Sequence, residues 1–144
     1  MFNKVFDIAA QAMSANRLRM NTIASNIANA ETTRTAEGGP YKRRDVVFAA
    51  ADIKDDFRTE LDQATLKNVK VAAVLEDQQP ARMVYDPGHP DADPQTGYVQ
   101  MPNINAVTEM VNMLNASSAY KAAAEVASVT KDMSQALNRL AERV

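Results

Sequence analysis

Four side chains in one short stretch of the sequence are of the types that bind metal ions or transfer protons. They are Asp86, His89, Asp91 and Asp93. Carboxylates and an imidazole suit a hard or borderline cation. Three prolines stiffen the backbone around them, however, and no second cluster is available to complete a ligand shell. Because Asp beside Pro and Gly is typical of turns, we predict a structural loop here, with no metal ion and no cofactor.

Other catalytic chemistries lack the residues that they need. The chain has no cysteine and a single histidine, which excludes thiolate nucleophiles and thiolate zinc sites and leaves His89 as the only imidazole base. Ser25, Ser117 and Ser118 lie in helical patterns without the sharp turn that exposes a nucleophilic serine. The sequence therefore predicts that the protein is not an enzyme, has no catalytic residue and takes no small-molecule substrate.

The charge balance argues against a nucleic-acid partner. There are 16 Lys and Arg against 18 Asp and Glu, a formal net charge of −2, whereas phosphate binding needs concentrated positive charge. The short basic run 42–44 lies beside Asp45 and fits the edge of a strand. No stretch approaches the ~20 apolar residues of a membrane span, and the first twenty residues lack the continuous apolar region of a secretory signal. We expect no direct membrane insertion.

The residues that break helices are confined to the middle of the chain. All four Gly and all six Pro lie between Gly38 and Pro102, and these two residue types disfavour helix interiors most strongly. Both ends are therefore free to form long helices. We predict a mainly α protein with a small β-rich middle part, divided into an N-terminal helix within 1–36, a β-rich segment with loops over 37–102, and a C-terminal helix within 103–144.

The middle segment contains four short stretches that favour β-strands. They cover residues 41–48, 69–75, 82–85 and 98–101. The charged segment 49–68 has no Gly or Pro, and it fits either a short helix around 55–64 or a mobile loop. Pro102 precedes Asn103 and Asn105, and either asparagine can cap the first turn of the C-terminal helix.

Residues of the N-terminal segment recur in alternating steps of four and three, the heptad spacing of a helix that packs along a partner helix. This N-terminal seam comprises Phe2, Phe6, Ala9, Met13, Asn16, Met20, Ile23, Ile27 and Ala30. A helix over 2–30 would be about 43 Å long, so its partner must be equally long. Asn16 places an amide in the seam, where it costs stability but fixes the register.

The C-terminal segment contains two apolar series with the same spacing and different phase. They are Ile104, Val107, Val111 and Leu114, and then Val126, Thr130, Met133, Leu137, Leu140 and Val144. The change of phase falls at 117–119 and is typical of a stutter, which locally unwinds a supercoil. We predict that the two terminal helices pair as a coiled coil and make an elongated subunit.

Two helices cannot cover all of these apolar positions, and we expect further subunits to cover the rest. The predicted assembly interface comprises Phe2, Phe6, Met13, Asn16, Met20, Ile23, Ile27, Val107, Val111, Leu114, Val126, Met133, Leu137 and Leu140. Two alternatives stay open: a two-helix hairpin on a small sheet that does not polymerise, and a helix that lies on a membrane surface. The second is disfavoured because the N-terminal helix has only three basic residues.

The stretch from 25 to 33, SNIANAETT, resembles the SNxANxxT signature near the N-terminus of bacterial flagellar rod and hook proteins. Its motif positions are Ser25, Asn26, Ala28, Asn29, Thr32 and Thr33. Further stretches fit the same family, among them 39–41, 46–48, 84–87, 97–103 and 109–120. The chain is identified on these motifs as a member of the flagellar basal-body rod protein family, and it is most similar to a component of the proximal rod.

The resemblance implies a structural, non-enzymatic subunit. Such proteins are exported by the flagellar type III apparatus without a cleaved signal peptide. They assemble with copies of themselves and other rod proteins, in the periplasmic space, into a helical drive shaft that transmits torque and surrounds the export channel. It further implies that Asn26, Asn29 and Thr32 or Thr33 bond backbone groups at the end of the first helix. The alternative is a soluble coiled-coil adaptor or oligomerisation module unrelated to flagella.

Overall fold

The computed structural model describes residues 2–52 and 67–141, and it contains two long helices around a small β-rich part. The elements are α1 (Phe2–Ala28), β1 (Arg44–Asp52), β2 (Lys67–Glu76), β3 (Arg82–Tyr85), β4 (Tyr98–Met101) and α2 (Ala106–Ala141). The predicted arrangement of terminal helices and a β-rich middle is thus confirmed. Neither helix, over the residues described, is long and apolar enough to span a membrane.

The ends of the helices follow from local hydrogen bonds. The predicted first helix ran to Ala30, but α1 ends at Ala28, and the chain then turns through a bond from the Thr32 N–H to the Asn29 carbonyl (3.1 Å). Asn105 caps α2, because its Oδ1 accepts the N–H groups of Val107 at 3.0 Å and Thr108 at 3.1 Å. From there α2 continues unbroken to Ala141.

The two helices pack on each other antiparallel, since the end of α1 meets the start of α2 and the contact between them is the most extensive in the molecule. The inward face of α2 is made of buried and half-buried residues spaced four and three apart. They are Glu109, Met113, Ala116, Tyr120, Ala123, Ala127, Thr130 and Ser134. Most of these side chains are small, which allows the two backbones to approach closely.

The apolar series predicted to pair with α1 was wrong for most of α2. Val107 is 70% exposed and Leu114 is 67% exposed, and Thr130 alone of the described residues after 120 in that series is buried. The inward face runs without a change of phase, so the predicted stutter at 117–119 does not affect it. The error has a physical cause: small residues such as Ala116 and Ala127 are buried on the inward face, while the large side chains that dominate a hydropathy pattern are exposed.

The N-terminal seam was partly right. Ala9, Asn16 and Ile23 are buried, whereas Phe6 is exposed. Met13, Met20, Ile27 and Ala30 are half-buried. The side chain of Phe2 lies outside the described part of the molecule.

The β-strands form two antiparallel hairpins. β1 pairs with β2, and a bulge leaves Ala72 without an opposite residue, because Val47 pairs with Ala73 and Phe48 with Val71. Both strands contact α1, where the guanidinium of Arg19 lies 5.7 Å from the centre of the Phe48 ring. The hairpin therefore covers α1 on a side that α2 leaves free.

All four predicted strands are present, and the first two differ from the prediction in their limits. β3 and β4 have the predicted bounds and pair with each other, bringing the rings of Tyr85 and Tyr98 to 5.3 Å. β1 begins later than predicted and extends to residue 52, and β2 begins earlier, at residue 67. Both ends of the segment 49–68 are thus strand, and the helix considered at 55–64 lies outside the described residues.

We predict that overpacking the contact between the helices destabilises the protein. Ala116 has no exposed surface, so Ala116→Leu should lower the free energy of unfolding by about 1–3 kcal/mol because the added atoms have no space. The matched control is Ala119→Leu, at an exposed position one turn away. This substitution should change the free energy of unfolding by less than about 0.5 kcal/mol. Urea unfolding followed by circular dichroism measures both, and equal effects would contradict a close-packed contact between the helices at Ala116.

Candidate functional site

A buried polar junction joins the end of α1, the start of β1 and the start of α2. At its centre, the Asn26 side chain has no exposed surface. Its Oδ1 accepts the N–H of Arg44 at 2.9 Å, and its Nδ2 donates to the carbonyl of Arg44 at 2.8 Å and to Oε2 of Glu109 at 3.1 Å. The Asn26 amide therefore bonds to both backbone groups of Arg44, as a neighbouring strand would. The same amide also bonds to Glu109 of α2.

Glu109 contributes a buried carboxylate to the junction. The residue is 1% exposed and lies in the first turn of α2, where the partial positive charge of the helix N-terminus favours an anion. Its Oε1 accepts the Nε–H of Arg43 at 2.9 Å and, less closely, the Nδ2 of Asn112 at 3.5 Å. Each carboxylate oxygen thus has a partner, as a buried charge requires.

Arg43 is the cation that balances Glu109. Partial burial opposes the charge of its guanidinium, but the hydrogen bond and the electrostatic attraction of Glu109 outweigh that effect, and Asp45 adds to them. The pKa of Arg43 is consequently raised above its ordinary value. Arg43 and Glu109 therefore stabilise each other as an ion pair.

A tyrosine closes the junction on the side of the turn that follows α1. The Tyr41 hydroxyl donates to Oδ1 of Asn26 at 3.3 Å and lies 3.3 Å from Oγ of Ser25. Its backbone N–H donates to the carbonyl of Thr32 at 3.0 Å. Asn29 Nδ2 donates to the carbonyl of Ser25 at 2.9 Å, and the Thr32 hydroxyl donates to Oδ1 of Asn29 at 3.2 Å. These bonds hold the turn after α1 in one conformation.

The remaining motif positions, Ala28 and Thr33, lie outside the buried junction. The side chain of Ala28, the last residue of α1, is exposed. The Thr33 hydroxyl donates to Oδ2 of Asp91 at 2.8 Å, and Arg34 forms an ion pair with the other oxygen of Asp91 at 2.7 Å. Asp91 therefore anchors the proline-rich loop to the turn that follows α1.

The other side chains of that loop are engaged in its own turns. Asp86 accepts the N–H of Gly88, and His89 Nδ1 accepts the N–H of Asp91. Asp93 accepts the N–H of Gln95 and the hydroxyl of Thr96, and these bonds lower the pKa of its carboxyl group. Over residues 2–52 and 67–141, no three His, Cys, Asp or Glu side chains are grouped as metal ligands.

The predicted assembly residues whose side chains the structure describes fall into three groups. Asn16 and Ile23 are buried inside the molecule, and Met13, Met20 and Ile27 are half-buried. The exposed group comprises Phe6, Val107, Val111, Leu114, Val126, Met133, Leu137 and Leu140.

Sequence reasoning did not find three members of the junction, Tyr41, Arg43 and Glu109. For Glu109 a signal existed, since an acid in the first turn of a helix shares the heptad spacing of Ala116 and Ala123 and so points towards the partner helix. Nothing in the sequence pairs Arg43 with a residue 66 positions away.

We predict that Asn26→Asp strongly destabilises the protein. A carboxylate cannot donate to the Arg44 carbonyl or to Glu109, and it places a second negative charge beside a buried one. The free energy of unfolding should fall by about 2–4 kcal/mol. Asn21→Asp, an exposed position on the same helix, is the control and should cost less than about 0.5 kcal/mol.

Adding Glu109→Gln to the Asn26→Asp variant should recover part of that loss, because a glutamine amide can donate to the new carboxylate. Thermal unfolding of the single and double variants measures the coupling. Additive losses would show that the two side chains do not interact.

Comparison with known proteins gives the family. Residues 6–34 match the family model described as "Flagella basal body rod protein", and residues 95–140 match "Flagellar basal body rod FlgEFG protein C-terminal". The first match covers most of α1 and the motif positions, and the second covers β4 and nearly all of α2. Between them they contain Asn26 and Glu109, the two side chains that bond at the centre of the junction.

Several relatives carry the name "Flagellar basal-body rod protein FlgC". The protein of Borreliella burgdorferi is 40% identical over 135 residues, 88% of this chain and 89% of the relative. The protein of Salmonella typhimurium is 44% identical over 129 residues, and that of Escherichia coli O157:H7 is 43% identical over 129 residues, each covering 90% of both chains. The chain belongs to the FlgC family of flagellar basal-body rod proteins.

Proposed function

We propose that this chain, a structural subunit of the flagellar basal-body rod, assembles with other rod components through the outward faces of its terminal helices. The observation that carries the function is identity of 40–44% over about nine-tenths of the chain with relatives named as rod proteins. That similarity spans both helices and the junction between them. No comparable observation favours a soluble adaptor or oligomerisation module unrelated to flagella.

The outward face of α2 supports assembly through the helices. The described part of this helix exposes large apolar side chains such as Val107, Val111, Leu114 and Leu140 at about half to two-thirds of their surface. Each Å² of apolar surface removed from water contributes about 25 cal/mol, and contiguous exposed patches of this kind mark interaction sites. Burial against neighbouring subunits would supply the free energy of assembly.

The inward faces of the helices support a coiled coil within each subunit. Residues of α2 that face α1 keep the four-and-three spacing from 109 to 134, which is the heptad spacing of coiled coils. With 36 residues, α2 is about 54 Å long. A bundle of such paired helices resists bending and twisting, as a shaft that transmits torque requires. We place the helices around the export channel and the hairpins outside them.

The buried junction supports a role in transferring load between the β1–β2 hairpin and the two helices. Asn26 bonds to β1 and α2 at once, and Arg43, the residue before β1, adds an ion pair with Glu109 of α2. A force applied to the hairpin therefore reaches the helices through directional bonds, rather than through apolar contact alone. We assign the junction a structural role and propose no catalytic activity for the chain.

Membership of the rod family also supports a proposal for the position and delivery of the subunit. We propose that the chain passes through the flagellar type III export apparatus without a cleaved signal peptide and is incorporated in the part of the rod that crosses the periplasmic space. Its partners are copies of itself and other rod proteins. We propose no nucleic acid, small-molecule substrate or cofactor as a partner of the chain.

We predict that Val111→Asp abolishes swimming in cells that depend on this chain. Val111 is 51% exposed, so the substitution should leave the stability of the free subunit within about 0.5 kcal/mol of the parent, while it buries a charge in the assembled rod. Swimming in soft agar and the yield of isolated basal bodies measure the effect.

The matched control is Asn115→Asp, four residues further along α2 and also exposed. This control should swim like the parent. Normal swimming of Val111→Asp, with the subunit present in basal bodies, would contradict assembly through this face.

A further inference from the structure

The loop over residues 86–97, which connects β3 and β4, contains the chain's only histidine. The Nδ1 atom of His89 lies 3.1 Å from the backbone nitrogen of Asp91. A backbone N–H group can only donate a hydrogen bond, so Nδ1 must be the acceptor and cannot carry a proton. His89 is therefore neutral in this arrangement, with its ring proton on Nε2.

The backbone that His89 holds belongs to the residue that attaches this loop to the turn after α1. The Asp91 carboxylate accepts the Thr33 hydroxyl at 2.8 Å and forms an ion pair with Arg34 at 2.7 Å. The other bonds described for the loop lie within it or join it to β4. Because Asp91 makes both kinds of contact, a change in its bond to His89 acts directly on the attachment.

Protonation of His89 removes this bond. Histidine is the side chain whose ordinary charge change falls between about pH 5 and pH 8, and an imidazolium ion has an N–H group on both ring nitrogens. The N–H group of Asp91 then loses its acceptor, and the new Nδ1–H group of His89 needs an acceptor of its own.

The charges around the loop favour a second effect. The loop contains the carboxylates of Asp86, Asp91 and Asp93, and among the described residues Arg34 faces it from the turn after α1. A cation on His89 therefore competes with Arg34 for the carboxylate of Asp91. Protonation weakens the attachment twice, because it frees the backbone of Asp91 and offers its carboxylate another partner.

We propose that His89 is a pH-dependent switch for the attachment of the loop 86–97 to the turn after α1. Neutral His89 holds the loop on the turn, and protonated His89 releases it. Most residues of the loop are exposed, so release changes an outer surface and leaves the contact between the helices intact. The switch is a property of the single subunit and does not rest on the proposed function.

NMR of the purified full chain tests the switch, because a single histidine gives unambiguous ring signals. Protection of the Asp91 amide against solvent exchange, corrected for the effect of pH on an unstructured amide, should fall about fivefold or more between about pH 7.5 and about pH 5.5. The amide signals of Thr33 and Arg34 should shift over the same pH range as the ring signals of His89. Constant protection while the ring titrates, or unchanged Thr33 and Arg34 signals, would overturn the inference.

Two substitutions of His89 separate the acceptor from the charge. His89→Asn keeps an acceptor that does not titrate, because an asparagine side chain commonly accepts the N–H group two residues further on. Its loop should stay attached at both pH values. His89→Ala has no acceptor, so its Asp91 amide should be unprotected at both. If His89→Asn responded to pH as the parent does, another group would be responsible and the switch would not be His89.

Asp91→Asn tests the attachment itself. An amide cannot form the ion pair with Arg34, so the signals of Thr33 and Arg34 should resemble those of the parent at acidic pH under both conditions. The matched control is Asp93→Asn, since the side-chain bonds of Asp93 lie within the loop, and this variant should keep the parent's pH response. Far-UV circular dichroism of every variant should match the parent. A reversed result for the two aspartates would overturn Asp91 as the point of attachment.

Discussion

A carboxylate without water around it needs a hydrogen-bond donor for each oxygen, and the fold of this protein is arranged around one such group. Glu109 is 1% exposed and is satisfied by Asn26 from α1 and by Arg43 from the segment that leads into β1. Removing a partner of a buried charge is strongly destabilising. The three chain segments must consequently meet in one relative position, and the helices and the first hairpin are oriented by that meeting.

The packing of the two helices differs from that of an ordinary core, because small side chains are buried and many large apolar side chains are exposed. Ala116, Ala127 and Ala9 are buried between or beside the helices, whereas the larger Val107 and Leu114 are exposed. Small side chains allow a close approach that gains dispersion energy but bury little apolar area. Much of the large apolar surface is therefore exposed in the single subunit, and it does not contribute to the stability of the subunit's own core. Stability and assembly are therefore not independent in this molecule.

The sequence was informative where local rules act. The segregation of Gly and Pro predicted both helices, β-prone stretches predicted all four strands, and Asn105 was one of two proposed caps. Prediction from the sequence failed where the fold depends on residues that are far apart in the chain. The apolar series on α2 pointed to the wrong inward face because alanine contributes little to a hydropathy pattern. The motif singled out Asn26, but its partners Arg44 and Glu109 lie 18 and 83 positions away, and no local pattern encodes such distances.

The antiparallel arrangement of α1 and α2 has a practical consequence. Residue 2 and residue 141 both lie away from the junction, towards the same pole of the molecule, because α1 ends and α2 begins beside Asn26 and Glu109. Reporters inserted near residue 2 and near residue 141 would therefore both lie at that pole. Agreement between two versions that are tagged at these two positions is consequently not independent evidence that a tag is harmless.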